Sequence, residues 1–280
     1  MFHVKTMSTE DFSFAVELAN TMNWNMSAVD FAFNVELEPK GCLVLLDESK
    51  RIGIATCISY GKVGWFGNLI VEESYRNQGA GTQLVKHALK YLQSTGVSTV
   101  GLYAYRDLVT FYSRLGFKRD IDFSVLKSGA ISAPSYVNDT TKITHKELPR
   151  ITQFDSWCFG ASRKKILEKI IGKEKNISYL ATEENRIIGY ITSKVYDETA
   201  EIGPLVSQKD HISTAVLLLK IVLSELEGKE GYMYLPKEER KLLEAAAEAG
   251  FRKQFNLARM FLGSVTATEC VYIAESLERG

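Results

Sequence analysis

Two rhythms of apolar residues alternate along the chain. Short, mostly apolar runs at 42–46, 52–60 and 63–71 predict buried strands. Between them the apolar positions step by three and four, the spacing of one helix face. Phe14, Leu18 and Met22 follow a Ser8-Thr9-Glu10-Asp11 cap. A second helix is predicted from Ser27 to Leu37. A third carries Leu84, Val85, Ala88, Leu89 and Leu92 behind Thr82. Residues 2–7 and 98–103 add strands, 106–115 a helix, and Phe117 opens two last strands ending about Lys127. Gly41, Gly61, Gly96 and Gly116 punctuate these elements. The predicted order is β-α-α-β-β-β-α-β-α-β-β, an α+β arrangement.

The pattern then repeats. D-E-S-K-R-I-G-I-A-T at 47–56 is echoed by E-E-N-R-I-I-G-Y-I-T at 183–192, and Gly116-Phe117 by Gly250-Phe251. A period of about 135 residues predicts duplication of a whole domain. Residues 128–141 are small, polar and turn-prone, so the expected partition is a first domain at 1–129, a linker at 130–144 and a second domain at 145–280.

One stretch of the first copy carries chemistry. Leu69-Ile70-Val71 ends a strand, Arg76-Asn77-Gln78-Gly79-Ala80-Gly81 makes a glycine-bearing loop, and a helix begins near Thr82. Peptide N–H groups at a helix start have no partner within the helix, and its dipole favours an anion there. Glycine lets a pyrophosphate approach the backbone. The spacing excludes a P-loop and lacks the third glycine of a dinucleotide fingerprint.

Arg76–Gly81 resembles the R/Q-x-x-G-x-G/A signature of the GCN5-related N-acetyltransferase (GNAT) superfamily. Phe111-Tyr112-Ser113-Arg114-Leu115-Gly116-Phe117 resembles its second mark, a tyrosine ahead of Gly-Phe. The similarity extends to a tandem-GNAT subfamily with an active first domain and a divergent second one. It is carried by Trp24-Asn25 with Asp30, Pro39-x-Gly41, Leu102-Tyr103-Ala104, Asp155 with Phe159-Gly160-Ala161-x-Arg163, Gly203-Pro204-Leu205 and Arg259-Met260. Tyr105 departs from the pattern, standing where many members carry asparagine. The resemblance implies two tandem GNAT folds, each a mixed, centrally splayed sheet flanked by helices, with acetyl-CoA entering the wedge. It implies that Leu69, Ile70 and Val71 pair with the pantetheine arm. Asn77, Gln78, Gly79, Ala80, Gly81 and Thr82 then hold the pyrophosphate, with Arg76 adding charge. Tyr112 is the implied general acid, and a tyrosine near its usual pKa of about 10 keeps its proton at neutral pH. Trp24, Asn25 and Asp30 are candidates for the acceptor pocket.

The second copy is expected to lack this chemistry. With Val71 aligned to Val206, His211 falls opposite Arg76, Thr214 and Val216 opposite the two glycines, and Ala246 opposite Tyr112. His211 reads as a surface residue in a helix cap.

Composition adds exclusions. Lys+Arg and Asp+Glu are both 34, so the formal net charge is zero, which argues against a nucleic-acid partner. Cys42, Cys57, Cys158 and Cys270 are isolated and lack metal-ligand spacing, so they read as reduced core thiols in a cytoplasmic protein without a metal. No apolar run is long enough for a membrane span. The leading expectation is an acetyl-CoA-dependent N-acetyltransferase acting on a small-molecule amine, as monomer or homodimer. A non-catalytic acetyl-CoA sensor or scaffold and a protein or peptide N-acetyltransferase are the alternatives.

Overall fold

The computed structural model describes residues 2–134, 140–264 and 270–280. The chain forms two compact units. The first holds residues 2–102, 261–264 and Arg279; the second holds the remaining described residues.

In the first unit the order is β1 (Phe2–Thr6), α1 (Phe12–Asn20), α2 (Ala28–Leu37), β2 (Cys42–Asp47), β3 (Lys50–Ser59), β4 (Val63–Val71), α3 (Ala80–Ser94) and the start of β5 (Thr99–Ala104). The strands lie side by side in that sequence, antiparallel from β1 to β4, with β5 parallel to β4. Cys42, Val44, Ile54 and Ile70 bury one sheet face against Ala15, Leu18, Ala19 and Phe31 of α1 and α2. On α3 the buried residues Leu84, Val85, Ala88 and Leu92 form one stripe, and the helix packs on β3 and β4. A Cβ on Gly53 would meet the Ile70 carbonyl at 2.9 Å and a Leu84 methyl at 3.4 Å, so only glycine admits this approach of strand and helix. The Ser8 N–H donates to Asp11 at 2.8 Å, capping the first helical turn. Lys5 and Arg51 also hold the fully buried Asp11 carboxylate, at 2.6 and 2.7 Å.

The second unit continues from β5 through α4 (Val109–Arg114) and β6 (Lys118–Ser128). It then repeats the element order of the first copy: β7 (Thr141–Lys142), α5 (Leu148–Phe159), α6 (Lys164–Ile171), β8 (Ile177–Glu183), β9 (Arg186–Val195), β10 (Thr199–Ser207), α7 (Ile212–Glu225), β11 (Glu230–Pro236), α8 (Arg240–Glu248) and β12 (Arg252–Leu262), and adds β13 (Val271–Ile273). Its strand order is β12-β6-β11-β10-β9-β8-β7, with β13 on β10. The duplication therefore appears as two mixed, splayed sheets flanked by helices. A buried Asp155–Arg163 ion pair at 2.6 Å ties α5 to the start of α6, and the Tyr190 hydroxyl donates to the same carboxylate at 2.6 Å.

Three details differ from the sequence reading. The two strands expected after Phe117 are one eleven-residue strand, β6. It pairs antiparallel with β11 of the second copy, from Ser128↔Gly231 to Phe123↔Pro236, so the sheet that a further strand would complete is completed from the other half of the sequence. The compact units accordingly cut the chain differently from the repeat. The stretch expected to be a linker begins as packed chain: Ile131 is buried, and its N–H donates to Lys229 at 2.8 Å. Residues 135–139 of that stretch lie outside the described residues.

Candidate active site

The site is built on a fault in β4. Ile54 pairs with Ile70 and Thr56 with Gly67, so Asn68 and Leu69 together face the single residue Ala55. This is a β-bulge, and Asn68 takes its left-handed position at φ 50°. β5 accompanies β4 only from Val63↔Thr99 to Trp65↔Gly101. Beyond Trp65 the β4 edge facing away from β3 has no strand partner among the described residues. Leu69, Ile70 and Val71 close β4 along that stretch, where the backbone groups directed away from β3 are the ones open to a ligand arm.

The loop after β4 aims the helix start. Glu72 N–H donates to Ile52 at 2.8 Å, and Glu73–Tyr75 makes one 3-10 turn. Asn77 and Gly79 follow at φ 61° and 87°, the left-handed region that glycine enters without strain. A Cβ on Gly79 would project into open space, so backbone geometry requires the glycine and leaves its surface open. The N–H groups of Gly79, Ala80, Gly81 and Thr82 donate to no carbonyl among the described residues. Gln78 donates to the Ser74 carbonyl at 2.7 Å. Arg76 is exposed; its Nε donates to the Val71 carbonyl at 3.0 Å, holding the cation at the mouth of the loop. Free N–H groups, a helix dipole and a fixed guanidinium together fit a phosphate group.

The other sequence candidates divide. Tyr112 is a buried residue of α4 in the second unit, edge-on to Phe111 and Phe117 at 5.0 and 5.8 Å. Burial raises its pKa, which keeps the phenol protonated. Trp24, Asn25 and Asp30 all belong to the turn and helix between β1 and β2 in the first unit. Trp24 packs against the α1–α2 core, whereas Asn25 is exposed at φ 50°. Asp30 accepts the Ser27 N–H and hydroxyl, each at 2.8 Å, so it caps α2.

The corresponding wedge of the second copy is filled. β11 accompanies β10 from Thr199↔Glu230 to Ile202↔Met233. There the chain's own β13 takes over, pairing Leu205 with Ile273 and Val206 with Val271. Ser207 N–H donates to Cys270 at 2.9 Å, and Ala274 N–H to Tyr234 at 3.0 Å.

The glycine loop is absent there as well, in a register that corrects the sequence alignment. Gly189 pairs with Ser207 as Gly53 pairs with Val71, and Gln208 N–H bonds Ile188 as Glu72 N–H bonds Ile52. Val71 therefore corresponds to Ser207, not Val206, and His211 to Tyr75, not Arg76. A Cβ on Gly189 would meet Leu218 as one on Gly53 meets Leu84, so by helix register Gly79 and Gly81 correspond to Ser213 and Ala215, not Thr214 and Val216. The second copy is two residues shorter between the 3-10 turn and the helix. His211 sits at the N-terminal cap of α7, 3.5 Å from Glu183. Ala246 does match Tyr112, since Phe251 N–H bonds Ala246 as Phe117 N–H bonds Tyr112.

Sequence reasoning missed Asn68, Thr56 and β13. Asn68 and Thr56 interrupt apolar strands, and each carries a buried polar atom without a hydrogen-bond partner, Nδ2 and Oγ1. The interruption itself is the signal. For β13 the Val271-Tyr272-Ile273-Ala274 run was the available cue.

Comparison with known proteins agrees with both copies. A model of the acetyltransferase (GNAT) family matches residues 8–117, and an acetyltransferase (GNAT) domain model matches residues 151–270. The chain is 23% identical over 209 residues to the uncharacterized N-acetyltransferase YitH of Bacillus subtilis, covering 71% of each protein. Its fold is similar to that of a protein assigned as an acetyltransferase from Pyrococcus horikoshii, with TM-score 0.81, 20% identity and coverage of 100% of this chain and 96% of that one. It is also similar to a tandem GNAT protein from the clavulanic acid biosynthesis pathway, with TM-score 0.63, 11% identity and coverage of 95% and 100%. No helix of the described residues is long and apolar enough to cross a membrane. With an open wedge and glycine cradle in one copy, a filled wedge in the other, and GNAT matches across most of its length, the chain belongs to the tandem GNAT acetyltransferases, which are acyltransferases.

Proposed function

We propose that this protein transfers the acetyl group of acetyl-CoA directly to the amine of a small-molecule acceptor, using only the first copy. The observation that carries this reading is the contrast at the two wedges: among the described residues the β4 edge beyond Trp65 and the N–H groups of Gly79–Thr82 have no backbone partner, whereas β13 covers the β10 edge. In this reading Leu69, Ile70 and Val71 hold the pantetheine arm through their backbone. Asn77, Gln78, Gly79, Ala80, Gly81 and Thr82 hold the pyrophosphate, and Arg76 adds a cation. Acetyl-CoA supplies the activated acyl group. A backbone N–H of the β4 edge donates to the carbonyl oxygen as charge develops on it. Tyr112 gives its proton to the departing thiolate, the amine's proton passes to water as the amide forms, and water returns one to Tyr112. Burial supports the Tyr112 role by keeping the hydroxyl protonated across the working pH range.

Purified protein mixed with acetyl-CoA and a panel of small amines tests the reading. Free coenzyme A and an N-acetylated product should appear together for at least one amine. Acetylation confined to protein or peptide termini would contradict it, as would acetyl-CoA binding with no turnover on any amine.

A further inference from the structure

Three polar residues of the first unit are buried where the sequence pattern calls for apolar ones. Asn34 stands on the inner stripe of α2, between Phe31 and Leu37. Thr56 interrupts the apolar run of β3, and Asn68 that of β4. They are 5%, 4% and 9% exposed. The Asn34 amide nitrogen, the Thr56 hydroxyl and the Asn68 amide nitrogen lack hydrogen-bond partners within the described chain. A buried donor without a partner is costly, and native proteins rarely keep one that serves nothing.

Contacts and strand pairing connect these groups in turn. Arg279 Nη1 donates to Asn34 Oδ1 at 3.0 Å, its guanidinium lies 5.2 Å over the Phe33 ring, and its carbonyl accepts the Tyr60 hydroxyl at 2.9 Å. The guanidinium is thereby fixed beneath α2. Its charge reaches Cys42: burial, with Glu38, pushes that thiol up to about 12, and Arg279 opposes the rise. Cys42 pairs directly with Thr56, and Thr56 with Gly67. Directly paired residues of antiparallel strands share a face, and Cys42 faces α1 and α2. Asn68 is next along β4, at the bulge where the edge opens. Strand pairing thus leads from Cys42, which the Arg279 charge reaches, through Thr56 to Asn68 at the bulge beside the open β4 edge.

We infer that Asn34, Thr56, Asn68 and Arg279 form a recognition subsite for the carboxylate of an amino-acid-like acceptor. A carboxylate offers two oxygens in one plane, which suits a guanidinium and flanking amide and hydroxyl donors. The inference rests on the N-acetyltransferase reading of the site and adds the class of acceptor to it.

The test uses the twenty common amino acids, their carboxamides and the matching amines without the carboxyl group. Two readouts are taken: coenzyme A release, and the thermal shift that each compound produces with coenzyme A present. For its best acceptor the wild-type protein should prefer the free acid to the carboxamide at least tenfold in kcat/KM. The near-isosteric Thr56→Val and the charge-adding Asn34→Asp should bring that ratio close to one, mainly through KM, with the Kd for coenzyme A unchanged. If no amine is acetylated, the enzymatic reading fails on its own. The subsite then stands if free acids, and not carboxamides, raise the melting temperature of wild type and lose that effect in Thr56→Val. Equal handling of acid and carboxamide by the wild type in both readouts would overturn the inference. So would substitutions that shift melting temperature and leave the acid preference intact.

Discussion

β4 and β10 begin alike and end differently. Each pairs antiparallel with its predecessor, breaks register near its middle and keeps its parallel neighbour for only a few residues. Past that point β4 has no strand partner on that edge among the described residues and leads to a glycine-bearing helix start. β10 instead meets β13, followed by a connection two residues shorter and a helix that lacks both glycines. Duplication produced two wedges, and the second satisfies its own backbone. An unpaired edge leaves backbone polar groups to solvent or ligand, so an edge kept bare beside free N–H groups is the one with a ligand to gain. Under the proposed function, the shorter connection and the added strand turn what is a binding surface in the first copy into structural core in the second.

The sharpest way to strain this comparison is to break the plug. Ile273 is fully buried in β13. Ile273→Asp should lower stability by about 4 kcal/mol, read from denaturant unfolding, through lost packing and a buried charge. Coenzyme A stoichiometry should stay at one, because the second copy still lacks the glycine loop. The next largest effect concerns Tyr112, whose counterpart is Ala246. Tyr112→Phe should reduce kcat by about a hundredfold, within the usual range for a general acid, while acetyl-CoA affinity measured by calorimetry stays within about twofold. Gly79→Val forces a β-branched side chain into a backbone with φ 87° and crowds the free N–H groups. Its coenzyme A Kd should rise about thirtyfold, the loss of roughly two anion hydrogen bonds.

The smallest expected effect compares two helix caps. Asp11 accepts the Ser8 N–H, and Glu147 the Thr144 N–H, each at 2.8 Å. Burial raises the Asp11 pKa, but hydrogen bonds from Lys5, Ser8 and Arg51 outweigh it and hold the carboxyl well below the usual carboxylate range. A depressed folded pKa gives stability that is complete above the unfolded value, near 4, and is lost as pH falls through the folded one. Asp11→Asn should therefore cost about 2 kcal/mol at pH 7. That cost should shrink steadily below pH 4. Glu147→Gln, at an exposed cap, should cost under about 0.5 kcal/mol, and chemical denaturation across pH separates the two.

The element order, the repeat and the glycine loop were legible because each is written in local spacing. Apolar steps of three and four marked α3, a mostly apolar run marked β4, and Gly79 and Gly81 marked the loop between them. What escaped was partnership. Nothing within β6 says that it pairs with β11, and nothing in Val271–Ile273 says that it lies against β10, because strand pairing is set by distant surfaces. The alignment of the two copies erred by one residue at each end because a two-residue deletion lay between the anchors that fix it, Gly189 and Leu218. Asn34, Thr56 and Asn68 were visible as polar residues in apolar stretches, but only burial without partners distinguishes them from ordinary substitutions.

The proposed function requires one acyl-CoA site per chain, in the first copy. Calorimetric titration of coenzyme A into wild type, Gly79→Val and Ile273→Asp tests it most directly. A stoichiometry of one is expected for wild type and for Ile273→Asp, and strongly weakened binding for Gly79→Val. Two equivalent sites in wild type, or binding to Gly79→Val at wild-type affinity, would contradict it.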